Sequence, residues 1–221
     1  MSFWNFLSIY WPRLLSGVVI TVELFFLAAA LAIVVAVVAG LMKLSSNRAI
    51  RWAAIVYIEV FRGTSLLVQL YWIFFVLPLF GLTLEKFNAG FIGLGMNLGA
   101  YGAELVRGAI QAVPKGQWEA AYALSMSPAR RMWRIVLPQA LAIMLPPWGN
   151  LLIELLKYSA LVALIGATDL MFQVKQINSS TFLSAQAFGA ALIIYYILAR
   201  LLLTPAVRWI EARMRRKLQR G

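Results

Sequence analysis

The chain has neither cysteine nor histidine among its 221 residues. The first absence excludes disulfides and thiolate chemistry. The second removes the commonest general base and the commonest metal ligand. Acids are scarce: eight Asp and Glu stand against twenty Lys and Arg, and charged residues make up only 13%. No G-x-x-x-x-G-K-[ST] run occurs, so the sequence has no phosphate-cradling loop of that kind. There is no cluster of converging acids to suggest hydrolytic chemistry, and no inverted repeat of the sort many secondary carriers carry. The N-terminal stretch lacks a basic region ahead of its first apolar run, and that run is too long for a cleavable leader, so it is expected to stay as a span.

What the chain has instead is apolar surface. Hydrophobic residues are 62% of the total and the mean hydropathy is +0.82, far beyond a soluble domain. The apolar runs are continuous rather than alternating, so the spanning elements are helices and not barrel strands. The expected fold is all-α, a polytopic membrane protein with five transmembrane helices. Residues 1–13, with Phe3, Trp4, Phe6, Tyr10 and Trp11, read as an outer interfacial helix or turn. The spans are expected at about 14–44, 52–80, 88–112, 138–161 and 182–209, with a basic tail at 210–221. Pro146 and Pro147 predict a kink in the fourth span. The stretch Ile165 to Thr181 reads as an outer loop or short hairpin, and the glycines Gly95, Gly99 and Gly102 on the third span permit close helix packing.

The +12 net charge is asymmetric. One side of the membrane collects Lys43, Arg48, Arg51, Arg107, Lys115, Arg130, Arg131, Arg134, Arg208, Arg213, Arg215, Arg216, Lys217 and Arg220; the other collects Arg13, Lys86 and Lys175. The first side is therefore cytoplasmic, which puts the N-terminus outside and the C-terminus inside. The charge reads as topology signal and lipid contact, with no nucleic-acid footprint.

The longest polar interval runs from Pro114 to Pro138 and reads as two short helices joined by a turn. Ser127 suits an N-cap and Pro128 a first helical position. Ala120, Ala121 and Ala123 give a surface of little bulk, able to seat in another protein's groove. On composition alone, an ordinary cytoplasmic loop, whose positive charge only sets topology, is the favoured reading of the interval. Its residues, however, resemble the EAA loop of permease subunits of binding-protein-dependent ABC importers. Glu119-Ala120-Ala121 is followed by Ser125, where glycine is usual, and then by Ile135, Leu137 and Pro138 at the family spacing. The serine bears on the turn, because a left-handed conformation suits glycine better. Upstream, F-R-G-T-S-L-L-V-Q-L is similar to the R-G-T-P-L-L-V-Q segment of polar-amino-acid permeases, and A-E-L-V-R-G-A-I-Q-A-V-P-K-G-Q-W-E-A-A is closer still. Downstream, Lys157-Tyr158-Ser159-Ala160-Leu161 departs from the family's K-x-T-S-L. The resemblance implies coupling helices between the third and fourth spans that dock on a cytoplasmic ATPase subunit. It also implies a second permease subunit, identical or a sister chain, an extracytoplasmic solute-binding protein, and a location in the inner cell membrane. ATP and magnesium would belong to the ATPase, and this chain would bind no cofactor and do no covalent chemistry. Polar amino acids or related zwitterions such as ectoines would be the solutes.

Ionisable groups at membrane depth are functional candidates by default. Glu59 with Arg62, and Glu104 with Arg107, are spaced to pair on one helix face. They read as structural ion pairs, with an inner gate as the sharper alternative. Asn150, Glu154 and Lys157 share a stripe on the fourth span. Asn97 and Tyr101 on the third, with Gln69 and Trp72 on the second, complete a candidate substrate path. Glu154 suits an ammonium and Lys157 a carboxylate; equally, the two could pair with each other. The competing function class is an ATP-independent carrier or channel.

Overall fold

The structure is a computed structural model that describes residues 2–218; Arg220, counted above with the basic tail, lies outside the described residues. Among the described residues every regular element is helical. Helix α1 spans Phe3–Lys43, opened by Ser2, whose hydroxyl accepts from Asn5 N–H. It runs through Pro12 without a break, so Phe3 to Arg13, expected as an interfacial segment, are continuous with the helix at the first expected span. At 41 residues it is the spine of the molecule. Its N-terminal part packs with Leu170, Val174, Ile177 and Ala187, its middle with Leu94, Leu98 and Leu155, and its C-terminal end with Val106, Ala109 and Val136.

Helix α4 (Lys86–Gln111) lies parallel to α1 and close against it. A Cβ on Gly95 would come within 2.8 Å of Leu31, and one on Gly99 within 2.8 Å of Val35. Small residues thus let the two backbones approach, as the glycine pattern predicts.

The expected second span is broken. Helix α2 (Arg48–Gly63) and the helical run Leu66–Phe80 meet at 107°. Gly63, Thr64 and Ser65 carry the bend; Thr64 and Ser65 are extended (ψ 155° and 133°), and Ser65 restarts the chain as an N-cap for α3 (Leu66–Tyr71). Three weak helix formers in succession make this the place where the helix yields.

Helix α5 (Lys115–Ala123) is the first of the two short helices expected in the polar interval. The second, α6 (Pro128–Arg131), does not stand alone. It continues through a wide turn at Met132–Val136 into α7 (Leu137–Tyr158), so that one rod of 38 residues reaches Ile165. The helix is continuous through Pro146 and Pro147, the place where a kink was expected. The stretch expected as an outer loop is helix α8 (Leu170–Thr181). Asp169 caps it, accepting from Met171 and Phe172 N–H at 3.2 and 2.9 Å, and Leu170, Val174 and Ile177 form its buried stripe. Tyr195 donates to the same carboxylate at 3.2 Å. Burial pushes the Asp169 carboxyl up to about 6, against the pull of these donors. Helices α9 (Ser184–Tyr196) and α10 (Thr204–Leu218) are joined by a second wide stretch, Ile197–Leu203, so the final span continues into the basic tail.

Trp72–Val76 is a third such wide turn, and all three share a cause. The residue just before a proline donates its N–H five positions back: Leu77 to Trp72, Leu137 to Met132 and Thr204 to Ala199. Pro78, Pro138 and Pro205 follow directly. A proline ring clashes with the carbonyl four residues earlier, and widening the turn relieves that clash.

Among the described residues, three helices are long and apolar enough to cross a membrane: Phe3–Lys43, Pro128–Ile165 and Ser184–Arg213. The bent pair of α2 and Leu66–Phe80 makes a fourth if taken as one broken span.

Candidate functional site

The break in the second span creates the site. Ending a helix inside an apolar layer frees carbonyls, and these need partners from the protein. Gln69 on α3 supplies them: its Nε2 lies 2.8 Å from Phe61 O, 3.2 Å from Thr64 O and 2.7 Å from Thr64 Oγ1. Asn97 on α4, buried, donates from Nδ2 to Phe61 O at 3.1 Å and to Gln69 Oε1 at 2.9 Å. Thr64 Oγ1 in turn donates to Val60 O at 2.7 Å.

Beside this knot opens a cleft of about 580 Å³, lined by Thr64, Ser65, Asn97, Tyr101, Glu154 and Tyr158, with leucines between them. Among the described residues, Glu154 is the single charged side chain on its wall. Arg62 reaches the rim, its guanidinium 5.4 Å from the Tyr101 ring centre. The hydroxyls of Ser65, Tyr101 and Tyr158 make no hydrogen bond within the chain among the described residues, so donors face the cleft unengaged.

The structure therefore brings together Gln69, Asn97, Tyr101 and Glu154 from the sequence-based path. It does not bring in Trp72, which stacks on Phe80 at 6.3 Å, nor Asn150 or Lys157, which are exposed and off the cleft wall. Glu154 and Lys157 do not pair with each other among the described ion pairs. Tyr158 and Ser65 were missed. Tyr158 follows Glu154 by four residues on the same stripe, a signal that was available; Ser65 could be placed only by knowing that the helix breaks there.

The two expected ion pairs behave differently. Glu104 and Arg107 pair as the spacing predicts, with Nε and a terminal nitrogen of Arg107 at 2.9 and 2.8 Å from one carboxylate oxygen. Lys43 at the end of α1 donates to the other oxygen, and Arg107 also reaches Gln111 at 2.7 Å. Glu59 and Arg62, by contrast, do not pair. They sit at the end of a truncated helix with better partners across the gap: Glu59 lies 4.0 Å from Lys43, and Arg62 turns to Tyr101.

In the polar interval, α5 ends in a paired 6→1 and 5→2 closure, Met126 N–H to Ala121 O at 3.1 Å and Ser125 N–H to Tyr122 O at 2.8 Å. Ser125 takes the left-handed conformation (φ 51°) that the motif's glycine would adopt without strain. Ser127 then caps α6 through Arg130 N–H. Of the three small residues expected outside, Ala121 is buried within the chain, while Ala120 and Ala123 are exposed beside Glu119. Ile135, Leu137 and Pro138 lie half-buried on the rod. Tyr122, Leu124 and Trp133 stand exposed around this surface.

Comparison with known proteins places this geometry. Residues 32–216 match the family described as binding-protein-dependent transport system inner membrane component. The chain belongs to that family. It is a membrane-embedded ABC permease subunit, and in such transporters ATP is hydrolysed by a separate subunit. The chain is 46% identical over 183 residues to the probable amino-acid ABC transporter permease protein y4tF of Sinorhizobium fredii, a match covering 80% of this chain and 76% of the relative. It is 37% identical over 170 residues to the L-cystine transport system permease protein TcyB of Bacillus subtilis, covering 77% and 73%. A crystal structure of an amino acid ABC transporter with histidines superimposes with a TM-score of 0.89 at 38% identity, covering 96% of this permease and 99% of that chain. The inward-facing MetNI methionine ABC transporter shares the fold at 21% identity, with a TM-score of 0.81.

Proposed function

We propose that this permease carries polar amino acids, or zwitterions of similar size such as ectoines, across the inner cell membrane in five spans, with the N-terminus outside. The observation that carries the substrate reading is the cleft wall: one carboxylate, Glu154, faces hydroxyl donors of Ser65, Tyr101 and Tyr158. Glu154 holds the ammonium or amidinium group, and the hydroxyls serve the carboxylate in place of Lys157. Gln69 and Asn97 keep the broken helix open around the solute. Kinship with relatives named for amino acids and cystine supports the same class.

The Glu119 surface, with Ala120, the Ser125 turn and the Ile135–Leu137–Pro138 stretch, is read as the docking face for the ATPase, which holds ATP and magnesium. A second permease subunit and an extracytoplasmic binding protein complete the unit. ATP-driven closure of the ATPase pair moves the docked helices, and the two permease halves rock around the cleft.

The test is reconstitution of the purified permease with its ATPase and binding protein, followed by ATP hydrolysis measured against a panel of L-amino acids and ectoine. Stimulation by one zwitterion is the expected result. Solute movement by the chain alone, without ATP, would overturn the proposal in favour of a carrier.

A further inference from the structure

Arg131 is 7% exposed, yet Nε and one terminal nitrogen of its guanidinium have no hydrogen-bond partner. Instead the group lies 3.8 Å from the Tyr122 ring centre and 5.7 Å from that of Trp118. Both rings belong to α5, whereas Arg131 belongs to the rod Pro128–Ile165. Burying a charged donor without acceptors destabilises a fold, and stacking on aromatic faces offsets only part of that. A methionine would fill the same space at lower cost. The placement of the charge therefore calls for a reason other than stability.

The surroundings supply one. α5 has few polar links to the rest of the chain, and its packing runs through Trp118, against the cluster of Val106, Ala109 and Val136, and through the buried Ala121. Its other polar link to the rod is Gln139 Nε2 to Gln117 Oε1, long at 3.4 Å. Between α5 and the ends of α1 and α4 lies a cleft of about 440 Å³, lined by Leu44, Ile110, Gln111, Trp118 and Met132. The covalent link from α5 to the rod is the turn at Ser125, held in a strained conformation. A push on α5 would flex that turn or close that cleft unless something fastens the helix to the rod. The planar guanidinium, layered on two rings of α5, is that fastening. The rod it belongs to runs unbroken from Arg131 to Glu154, roughly 35 Å at 1.5 Å per residue.

We propose that Arg131 is a positioning residue that locks α5 to the rod, so that movement of α5 is delivered to Glu154 in the cleft instead of being absorbed by the Ser125 turn. This rests on the docking role proposed above for the Glu119 surface, and the experiment separates the two.

The complete complex, with ATPase and binding protein in lipid nanodiscs, is prepared with Arg131→Met, Tyr122→Ala and Tyr122→Phe. For each, three quantities are read: co-purification of the ATPase, thermal stability, and the stimulation of ATP hydrolysis by binding protein loaded with the panel solute most active on the unmodified complex. Arg131→Met is expected to assemble, to melt no lower than the unmodified chain, and to lose stimulation by about fivefold or more. Tyr122→Ala follows it, and Tyr122→Phe, which keeps the ring face, retains stimulation. Normal stimulation in Arg131→Met would overturn the inference, as would its failure to retain the ATPase, which would make Arg131 part of the docking face. Equal loss in Tyr122→Phe and Tyr122→Ala would overturn it too, since the ring face would then be irrelevant. Absence of stimulation in the unmodified complex would instead overturn the proposed function, and this inference with it.

Discussion

The side-chain amide of Asn97 on α4 donates to the amide oxygen of Gln69 on α3 at 2.9 Å, and both amides reach the same backbone carbonyl, that of Phe61. Two elements meeting at a break are thereby pinned to the carbonyl the break sets free. Replacing Asn97 with Leu, or Gln69 with Leu, leaves buried polar groups unpaired and is expected to cost about 1–3 kcal/mol. Because the residues share one network, the double substitution should cost less than the sum of the singles. Thermal unfolding of the four proteins in nanodiscs checks this; strict additivity would show that the two amides act independently.

Glu154→Gln removes the charge from the cleft wall with almost no change in shape. Transport of a cationic or zwitterionic solute should fall about tenfold or more, the loss of a charged hydrogen bond. Lys157→Gln, off the wall, should leave uptake kinetics close to unchanged. Parallel uptake curves in proteoliposomes decide the point, and equal effects would remove the distinction drawn between the two residues.

Ser125 occupies a left-handed conformation at φ 51°. For a residue with a side chain this costs about 1–2 kcal/mol, and glycine escapes it. Ser125→Gly is therefore expected to stabilise the α5–α6 turn, net of its own entropy, and Ser125→Val to destabilise it by more than 1 kcal/mol or so. Hydrogen exchange of the amides of Ser125 and Met126 reads the turn directly.

Lys43 stands between two carboxylates, but only Glu104 is held closely, with Arg107 on its other side. Glu104→Gln strips two cations of their shared partner and should cost about 1–3 kcal/mol. Glu59→Gln, largely exposed and 4.0 Å from Lys43, should cost less than about 0.5 kcal/mol. If Glu59→Gln proves the more damaging in thermal unfolding, the assignment of the pair is wrong.

Asp169 lies outside the spanning helices and titrates near 6 in the fold, above its ordinary range. The folded chain holds this proton more tightly than the unfolded chain does. The contribution is thus fully present below about pH 4 and lost as pH rises through 6, on the order of 2–3 kcal/mol in all. Asp169→Asn keeps a cap for α8 and should flatten that part of the stability profile. A wild-type profile that rises between pH 4 and 6 would contradict the assignment.

Several of these features could be read from the chain itself. A helix does lie at Lys86–Gln111, where the third span was expected at 88–112, because its glycine face and flanking breakers mark it clearly. The Glu104–Arg107 pair followed from helical spacing alone. The Glu59–Arg62 pair did not form, because spacing within a helix carries no knowledge of Tyr101 or Lys43 on other helices. Helix α8 went unread although Asp169 and the stripe Leu170, Val174 and Ile177 announce it; its short length and polar outer face resembled a loop. The break at Gly63–Ser65 was obscured by the apolar runs on both sides, which average into one span of sufficient length. Arg131 looked like any cytoplasmic cation, since burial against Tyr122 and Trp118 arises only once α5 folds back on the rod.

The wide turn at Met132–Val136 gives the rod a fixed angular phase. Each residue of a regular helix advances the azimuth by about 100°, so the additional residue in this turn sets the bearing of everything beyond it. Glu154 points into the cleft, while Arg131 points at α5, only for that one phase. Deleting a single residue between 132 and 136 would let the helix close into regular turns. It would leave the carboxylate near its present bearing, whereas closing the turn with all its residues in place would swing it by roughly a quarter of a circle away from its wall. Pro138 guards against this by keeping the turn wide, and so acts as the compass setting between the two ends of the rod.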